Sequence, residues 1–167
     1  MPDTHRTETE PRQQLFEKMD EIHAGMLGIE GSGAHMRPMT HFIEPEKNLL
    51  WFLTSRDTDL AQEVGQGGTA HFCLTGDEGR YYACLRGTIT QSENAAKVDE
   101  LWSPVVAAWF KGRDDADLLL LKFSLRDAEV WSATESKVQF GLEIAKANMN
   151  REKMPDIGAH ESITFGI

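Results

Sequence analysis

Two strand-like runs, residues 70–75 and 81–90, are separated only by Gly76-Asp77-Glu78-Gly79, and this spacing constrains the fold most. So short a connection permits an antiparallel hairpin, because a parallel pair needs a crossover of about a dozen residues or more. Two more apolar runs have strand length: Leu49-Leu50-Trp51-Phe52-Leu53 and Leu118-Leu119-Leu120-Leu121-Lys122-Phe123-Ser124-Leu125. Another segment, 34–44, alternates, with His35, Arg37, Met39, His41 and Ile43 on one face. Pro38 removes a ladder donor in its middle, which predicts an edge position or a bulge. Arg126-Asp127-Ala128 allows a turn or bulge before Glu129-Val130-Trp131 continues extended.

Helical patterns lie between these runs. Leu15, Met19, Ile22 and Met26 share a face of a first helix that starts near Pro11 and ends near Gly25 and Gly28. A short helix follows Thr54-Ser55-Arg56-Asp57-Thr58, with Leu60 and Val64 inward. Residues 93–110 read as helical with Val98, Leu101, Trp102, Val105 and Trp109 inward, split at Pro104. A last helix, about 136–149, carries Val138, Leu142, Ala145 and Met149 on one stripe. Residues 1–10 read as a disordered leader, 11–149 as the domain, and 150–167 as a charged tail ending in the alternation Ile163/Phe165/Ile167. Strands joined by short turns argue against a doubly wound parallel sheet. A small antiparallel barrel flanked by helices hides its sheet edges and is the expected architecture.

With 27 Asp+Glu against 17 Lys+Arg, the net charge of −10 opposes binding to nucleic acid or anionic lipid. A small anion, which needs only a few local donors, is still allowed. No apolar run approaches the roughly 20 residues of a membrane span, and the polar N-terminus has no secretory apolar region, so a cytoplasmic protein is expected. Cys73 and Cys84 lack metal or CxxC spacing and are expected as free thiols in the core. His35 and His41 are roughly 20 Å apart if both lie on one strand, so one metal cannot take both.

Phosphate loops, dinucleotide fingerprints and nucleophile elbows are absent from the sequence. One constellation is left: Arg37 on a strand of small and apolar residues, and Thr54-Ser55 where a buried strand meets a helix. A guanidinium, two hydroxyls and helix-start amides suit a phosphate monoester. From spacing alone, a helix cap at Ser55 or Asp57 and a surface ion pair for Arg37 are the favoured reading, since caps are common and one Arg is weak evidence.

Ala34-His35-Met36-Arg37-Pro38-Met39, Leu50-Trp51-Phe52-Leu53-Thr54-Ser55, Tyr82-Ala83-Cys84-Leu85-Arg86-Gly87 and Ala128-Glu129-Val130-Trp131 occur in this order. Trp102-Ser103-Pro104 with Ala108-Trp109-Phe110 lies between them, followed by the segment 112–121. The ordered set resembles the general stress protein branch of the FMN-binding split-barrel proteins, the superfamily of pyridoxamine phosphate oxidase, over about residues 12–148. The resemblance implies a six-stranded antiparallel split barrel, a homodimer, and FMN (or FAD) in clefts between subunits. It implies that Arg37 holds the phosphate, that Pro38 and Met39 line the isoalloxazine, and that Leu53, Thr54 and Ser55 add phosphate or ribityl contacts. It also puts Trp131 close to the flavin.

Asp59-Leu60 stand where the oxidases carry an Arg-Lys phosphate clamp, and the C-terminal segment that grips pyridoxal phosphate is absent. Pyridoxamine phosphate oxidase activity itself is therefore not expected. Three functions stay open at this point: an FMN-dependent oxidoreductase acting on a small molecule, a non-catalytic dimer that binds or senses flavin or another anionic ligand, and a cofactor-free scaffold. No side chain marks itself as a catalytic acid or base.

Overall fold

The computed structural model describes residues 4–134, 136–152 and 154–166. Two short helices open the chain, α1 (Thr4–Thr9) and α2 (Pro11–Glu21), and the first strands follow as β1 (Ala24–Ile29), β2 (Arg37–Thr40), β3 (Phe42–Glu44) and β4 (Leu49–Ser55). Helix α3 (Asp59–Val64) leads into the hairpin β5 (Gly68–Gly76) and β6 (Tyr81–Ser92). Then come α4 (Ala95–Leu101), α5 (Pro104–Ala107), the long β7 (Leu118–Ala133), α6 (Lys137–Met149) and β8 (Gly158–Thr164).

Every strand pairing is antiparallel, and the order β2-β1-β5-β6-β7-β4-β3 begins and ends on strands that are neighbours in sequence. Only His41 separates β2 from β3. One bent strand thus pairs with β1 through Arg37–Thr40 and with β4 through Phe42–Glu44, which curls the sheet into the expected split barrel. Counted as one bent strand, β2 and β3 leave six strands in the curled path, and β8 is added beside β7. The break at His41 relieves the ladder near Pro38, whose missing donor suits its place on β2 at the end of the path.

The interior is filled by Leu27, Leu50, Phe52, Phe72, Tyr81, Leu85, Ile89, Leu121, Phe123 and Val130, all essentially inaccessible. Along β5 and β6 buried and partly exposed residues alternate, as a sheet with one covered face requires. The bulge near Arg126 is present: Arg86 pairs with Asp127 and Gly87 with Leu125, so Arg126 is the extra residue. At Gly87 a Cβ would collide with the Ser124 carbonyl oxygen, so the bulge and the glycine belong together. The polar hairpin turn holds Asp77 and Glu78 at positive φ, 51° and 55°.

Helix starts carry capping side chains: Thr58 accepts from the Ala61 N–H, Asn94 from Lys97, Ser103 from Val106 and Ser136 from Gln139. The cap of α3 is thus Thr58, not Ser55 or Asp57. Pro104 does split the 93–110 region, giving α4 and α5. Among the described residues no helix is long and apolar enough to cross a membrane.

Several expectations are corrected. The first helix ends at Glu21, and Met26 lies on β1 instead of its face. Residues 4–9 are helical, not a disordered leader; Thr7 is buried and its hydroxyl bonds Gln14 (2.7 Å) and Ser132 (2.7 Å). The tail supplies β8, which buries Ile163 and Phe165 against the core, while Ile167 lies outside the described residues. Val105 and Trp109 are exposed, at 70% and 81%, and the apolar stripe of α6 also faces outward. Cys73 and Cys84 sit half-buried on the outer face of the sheet rather than in the core.

Replacing Gly87 by Ala forces a Cβ onto the Ser124 carbonyl, so Gly87→Ala is expected to cost about 2 kcal/mol. Urea unfolding of wild type and variant measures it; equal midpoints would show that the bulge absorbs a methyl.

Candidate functional site

The bend that closes the barrel also opens it. Where the strand leaves β1 and has not yet joined β4, a cleft of about 1030 Å³ forms, walled by residues of β2, β3, the end of β4, the C-terminus of α2 and α5. Pro38, Met39, Leu53, Thr54 and Ser55 all line it. The fold therefore brings together five of the seven residues singled out from sequence. Thr40, Phe42, Ile43, Leu101, Val106, Trp109 and Phe110 make its walls mainly apolar.

At the polar end, the Thr58 hydroxyl donates to the Ser55 carbonyl (2.7 Å) and accepts from Ala61. Its single hydrogen is thereby used, so the Thr54 hydroxyl donates to Thr58 at 3.2 Å. The Ser55 hydroxyl has no side-chain hydrogen bond among the described residues. These hydroxyls end β4 where its ladder with β7 finishes, at Ser55 opposite Leu118.

Arg37 and Trp131 are not in this cleft. The Arg37 guanidinium turns to α3, where it donates to Glu63 Oε1 at 2.5 Å, with its side chain 26% exposed. Trp131 lies on the outer face of β7, half-exposed and stacked on His160 at 5.0 Å with parallel rings. Arg56 also points elsewhere, bonding the Ala116 carbonyl and Glu93. Asp57 and Asp59 are exposed and outside the lining, and Leu60 is core, so the carboxylates of this segment do not enter the cleft. Among the described lining residues there is no Lys or Arg.

Sequence reasoning missed the residues that hold the cleft open. His41, buried at the bend, donates from Nε2 to the Met19 carbonyl (2.8 Å) and meets the Phe72 ring edge-on at 5.2 Å. Burial pushes the His41 imidazole below its ordinary pKa, against the Met19 hydrogen bond, and His23 lowers it further. Its Nδ1 is buried without a partner, as an uncharged ring donating from Nε2 allows. On the other wall, Glu44 of β3 accepts from the Trp51 indole (2.8 Å) and pairs with Lys97 of α4 (3.0 Å). With Lys47 contributing most, these contacts lower the Glu44 carboxyl to about 2. Lys97 thereby ties α4, and α5 after it, to the strand that forms the cleft. A polar residue at a barrel bend was the only sequence signal for His41.

The cleft can take a planar apolar ring against Pro38, Met39 and the α5 side, with hydroxyl donors at one end. That matches a flavin's ring and ribityl chain.

The architecture is that of an antiparallel split barrel with its cleft at the bend. A sequence profile for "pyridoxamine 5'-phosphate oxidase like" proteins matches residues 10–156, and the chain belongs to that family. Within it, general stress protein 26 of Bacillus subtilis (strain 168) is 28% identical over 137 residues, 80% of this chain and 96% of that one. A solved protein described as general stress protein 26 from Jannaschia sp. CCS1 is 33% identical with a TM-score of 0.74, covering 94% of this chain and 99% of the other. The general stress FMN/FAD binding protein from Xanthomonas citri is 31% identical with a TM-score of 0.70, covering 77% and 92%.

Because the folded state holds His41 neutral below its ordinary value near 6.5, the unfolded chain binds more protons as the pH falls past about 6.5. Stability is full above that value and declines below it, by at most about 1.4 kcal/mol per pH unit from this group. Unfolding free energies at pH 7, 6 and 5 are expected to show a shallower acid decline in His41→Gln than in wild type; parallel curves would contradict this.

Proposed function

We propose that this protein binds FMN in the cleft at the β2–β3 bend and works as an FMN-dependent oxidoreductase of the general stress protein type, as a homodimer. The observation that carries the reading is the coincidence, in one cleft, of the Pro38-Met39 strand, the apolar α5 wall and the Leu53-Thr54-Ser55 terminus. The FMN/FAD binding protein from Xanthomonas citri supports flavin as the ligand class, with FAD as the variant cofactor. When bound, flavin supplies the redox chemistry, and the protein supplies position and electrostatics. Pro38 and Met39 set the ring plane, the apolar wall excludes water, and Ser55 and Thr54 orient the ribityl-phosphate end.

A second reading has its own observation. Arg37 is neutralised by Glu63, and no other cation lines the cleft among the described residues. This favours a weak, reversible site that senses flavin or another small anion without turnover. The reaction with NADH or NADPH separates the two.

Titration of the purified protein with FMN is expected to quench flavin fluorescence; absence of quenching with both FMN and FAD refutes flavin binding. Arg37→Ala is expected to weaken FMN roughly 10-fold or more, the value of a charge-assisted bond. Glu63→Gln, which frees the guanidinium, is expected to tighten FMN roughly 3-fold to 10-fold. Unchanged affinity in both variants would place the phosphate elsewhere. Anaerobic bleaching by either nicotinamide donor supports the oxidoreductase, and none supports the sensor.

A further inference from the structure

We propose that Cys73 and Cys84 form a redox-active dithiol on the outer face of the sheet, in which Cys84 reduces a hydroperoxide and Cys73 closes an intrachain disulfide. This does not depend on flavin binding. The two residues are direct partners in the β5–β6 register. Both side chains point away from the core, since Phe72, Leu74, Ala83 and Leu85 between and beside them are buried.

Backbone hydrogen bonds on either side define which kind of pair this is. The Glu30 N–H donates to the Thr69 carbonyl (2.9 Å), so Thr69, His71 and Cys73 turn their peptide groups toward β1. The Ala133 N–H donates to the Arg80 carbonyl (2.8 Å), so Tyr82 and Cys84 turn theirs toward β7. Across β5 and β6, Cys73 and Cys84 are therefore a non-hydrogen-bonded pair, the closer type, with Cα atoms about 4.5 Å apart. A disulfide spans roughly 4.4–6.8 Å between Cα atoms, so the bridge closes without moving either strand.

The surroundings distinguish the two thiols. Cys84 Sγ lies 3.8 Å from His71 Nδ1. His71 Nε2 in turn lies 3.7 Å from Glu30. Arg86, next on the same face of β6, is held by Asp127 through Nε (3.1 Å) and Nη2 (2.8 Å). The His71 ring nitrogen is thus placed beside the Cys84 sulfur as a base within reach. Burial, with the hydrogen bond to Cys84 acting in the same direction, pushes the Cys73 thiol up to about 12, so Cys73 keeps its proton. Cys84 is thus the attacking sulfur and Cys73 the resolving one.

The chemistry balances with a hydroperoxide, ROOH, as oxidant. His71 takes the Cys84 proton, and the thiolate attacks the terminal peroxide oxygen. The O–O bond breaks, the alkoxide leaves with the proton from His71 as ROH, and Cys84 becomes a sulfenic acid. Cys73 sulfur then attacks Cys84 sulfur; the S–S bond forms, the S–O bond breaks, and hydroxide leaves with the Cys73 proton as water. Two thiols are oxidised by two electrons, and one peroxide is reduced to ROH and water.

Hydrogen peroxide applied to the full chain, followed by alkylation and tryptic digestion without reductant, tests this. Cleavage after Arg56, Arg80 and Arg86 puts Cys73 in peptide 57–80 and Cys84 in peptide 81–86. The expected result is a linked 57–80/81–86 species that forms with peroxide, disappears with dithiothreitol, and leaves the chain monomeric on a non-reducing denaturing gel. Two unlinked peptides after peroxide, or a covalent dimer in place of the internal bridge, would overturn the proposal. Dimedone labelling after peroxide tests the roles: Cys84 in Cys73→Ser is expected to label about tenfold more than Cys73 in Cys84→Ser. Equal labelling would overturn the assignment of Cys84 as the attacking sulfur, and the wild-type digest needs no variant to fold.

Discussion

The single strand from Arg37 to Glu44, shared by both ends of the sheet, is the constraint on which the rest of the structure depends. Its first half completes the ladder of β1 and its second half that of β4, so the sheet curls without leaving two open edges there. Such a strand must bend, and at the bend its peptide groups change partners. His41 stabilises the bend from inside by bonding the end of α2 and packing on Phe72. The gap left between the two ladders is the cleft, so closure of the barrel and creation of a binding site are one event. The Glu44–Lys97 pair holds the opposite wall, coupling the same strand to α4 and α5.

Charge then decides how the cleft behaves. In a protein with net charge −10, Asp57 and Asp59 lie outside the cleft while Asp20 lines it, and Glu63 occupies the Arg37 guanidinium. The apolar lining and the hydroxyls of Thr54 and Ser55 suit an aromatic ligand with a polar tail. Electrostatic demand for its anionic end is already partly met by the protein. The chain belongs to the pyridoxamine 5'-phosphate oxidase-like family, and the flavin proposed for the cleft is a ligand of that shape.

Much of this was legible from residue order. The hairpin around Gly76–Gly79, the split at Pro104, the bulge near Arg126 and the strand ending in Thr54-Ser55 all follow from local chemistry: a glycine-flanked turn, a missing donor, a run of apolar residues. Strand β1 was not legible, because Met26 continues the helical spacing of Leu15, Met19 and Ile22. What overrides that spacing is contact: at Gly25 a Cβ would meet the Phe72 ring (2.5 Å) and the Cys73 carbonyl (2.6 Å), so the segment fits only as a close-packed strand. Strand β8 was hidden for a related reason, since a short alternation such as Ile163/Phe165 acquires meaning only beside the free edge of β7.

By itself, the sequence determined the antiparallel class, the positions of most turns, and the segments that build the cleft, since each rests on interactions within a few residues. Only the tertiary structure decided that Arg37 faces Glu63, that Trp131 stacks on His160 away from the cleft, and that Cys73 lies opposite Cys84. These facts depend on register and on which face of a strand is covered. A one-residue shift in register exchanges the two faces of a strand, and only packing across the whole barrel selects one.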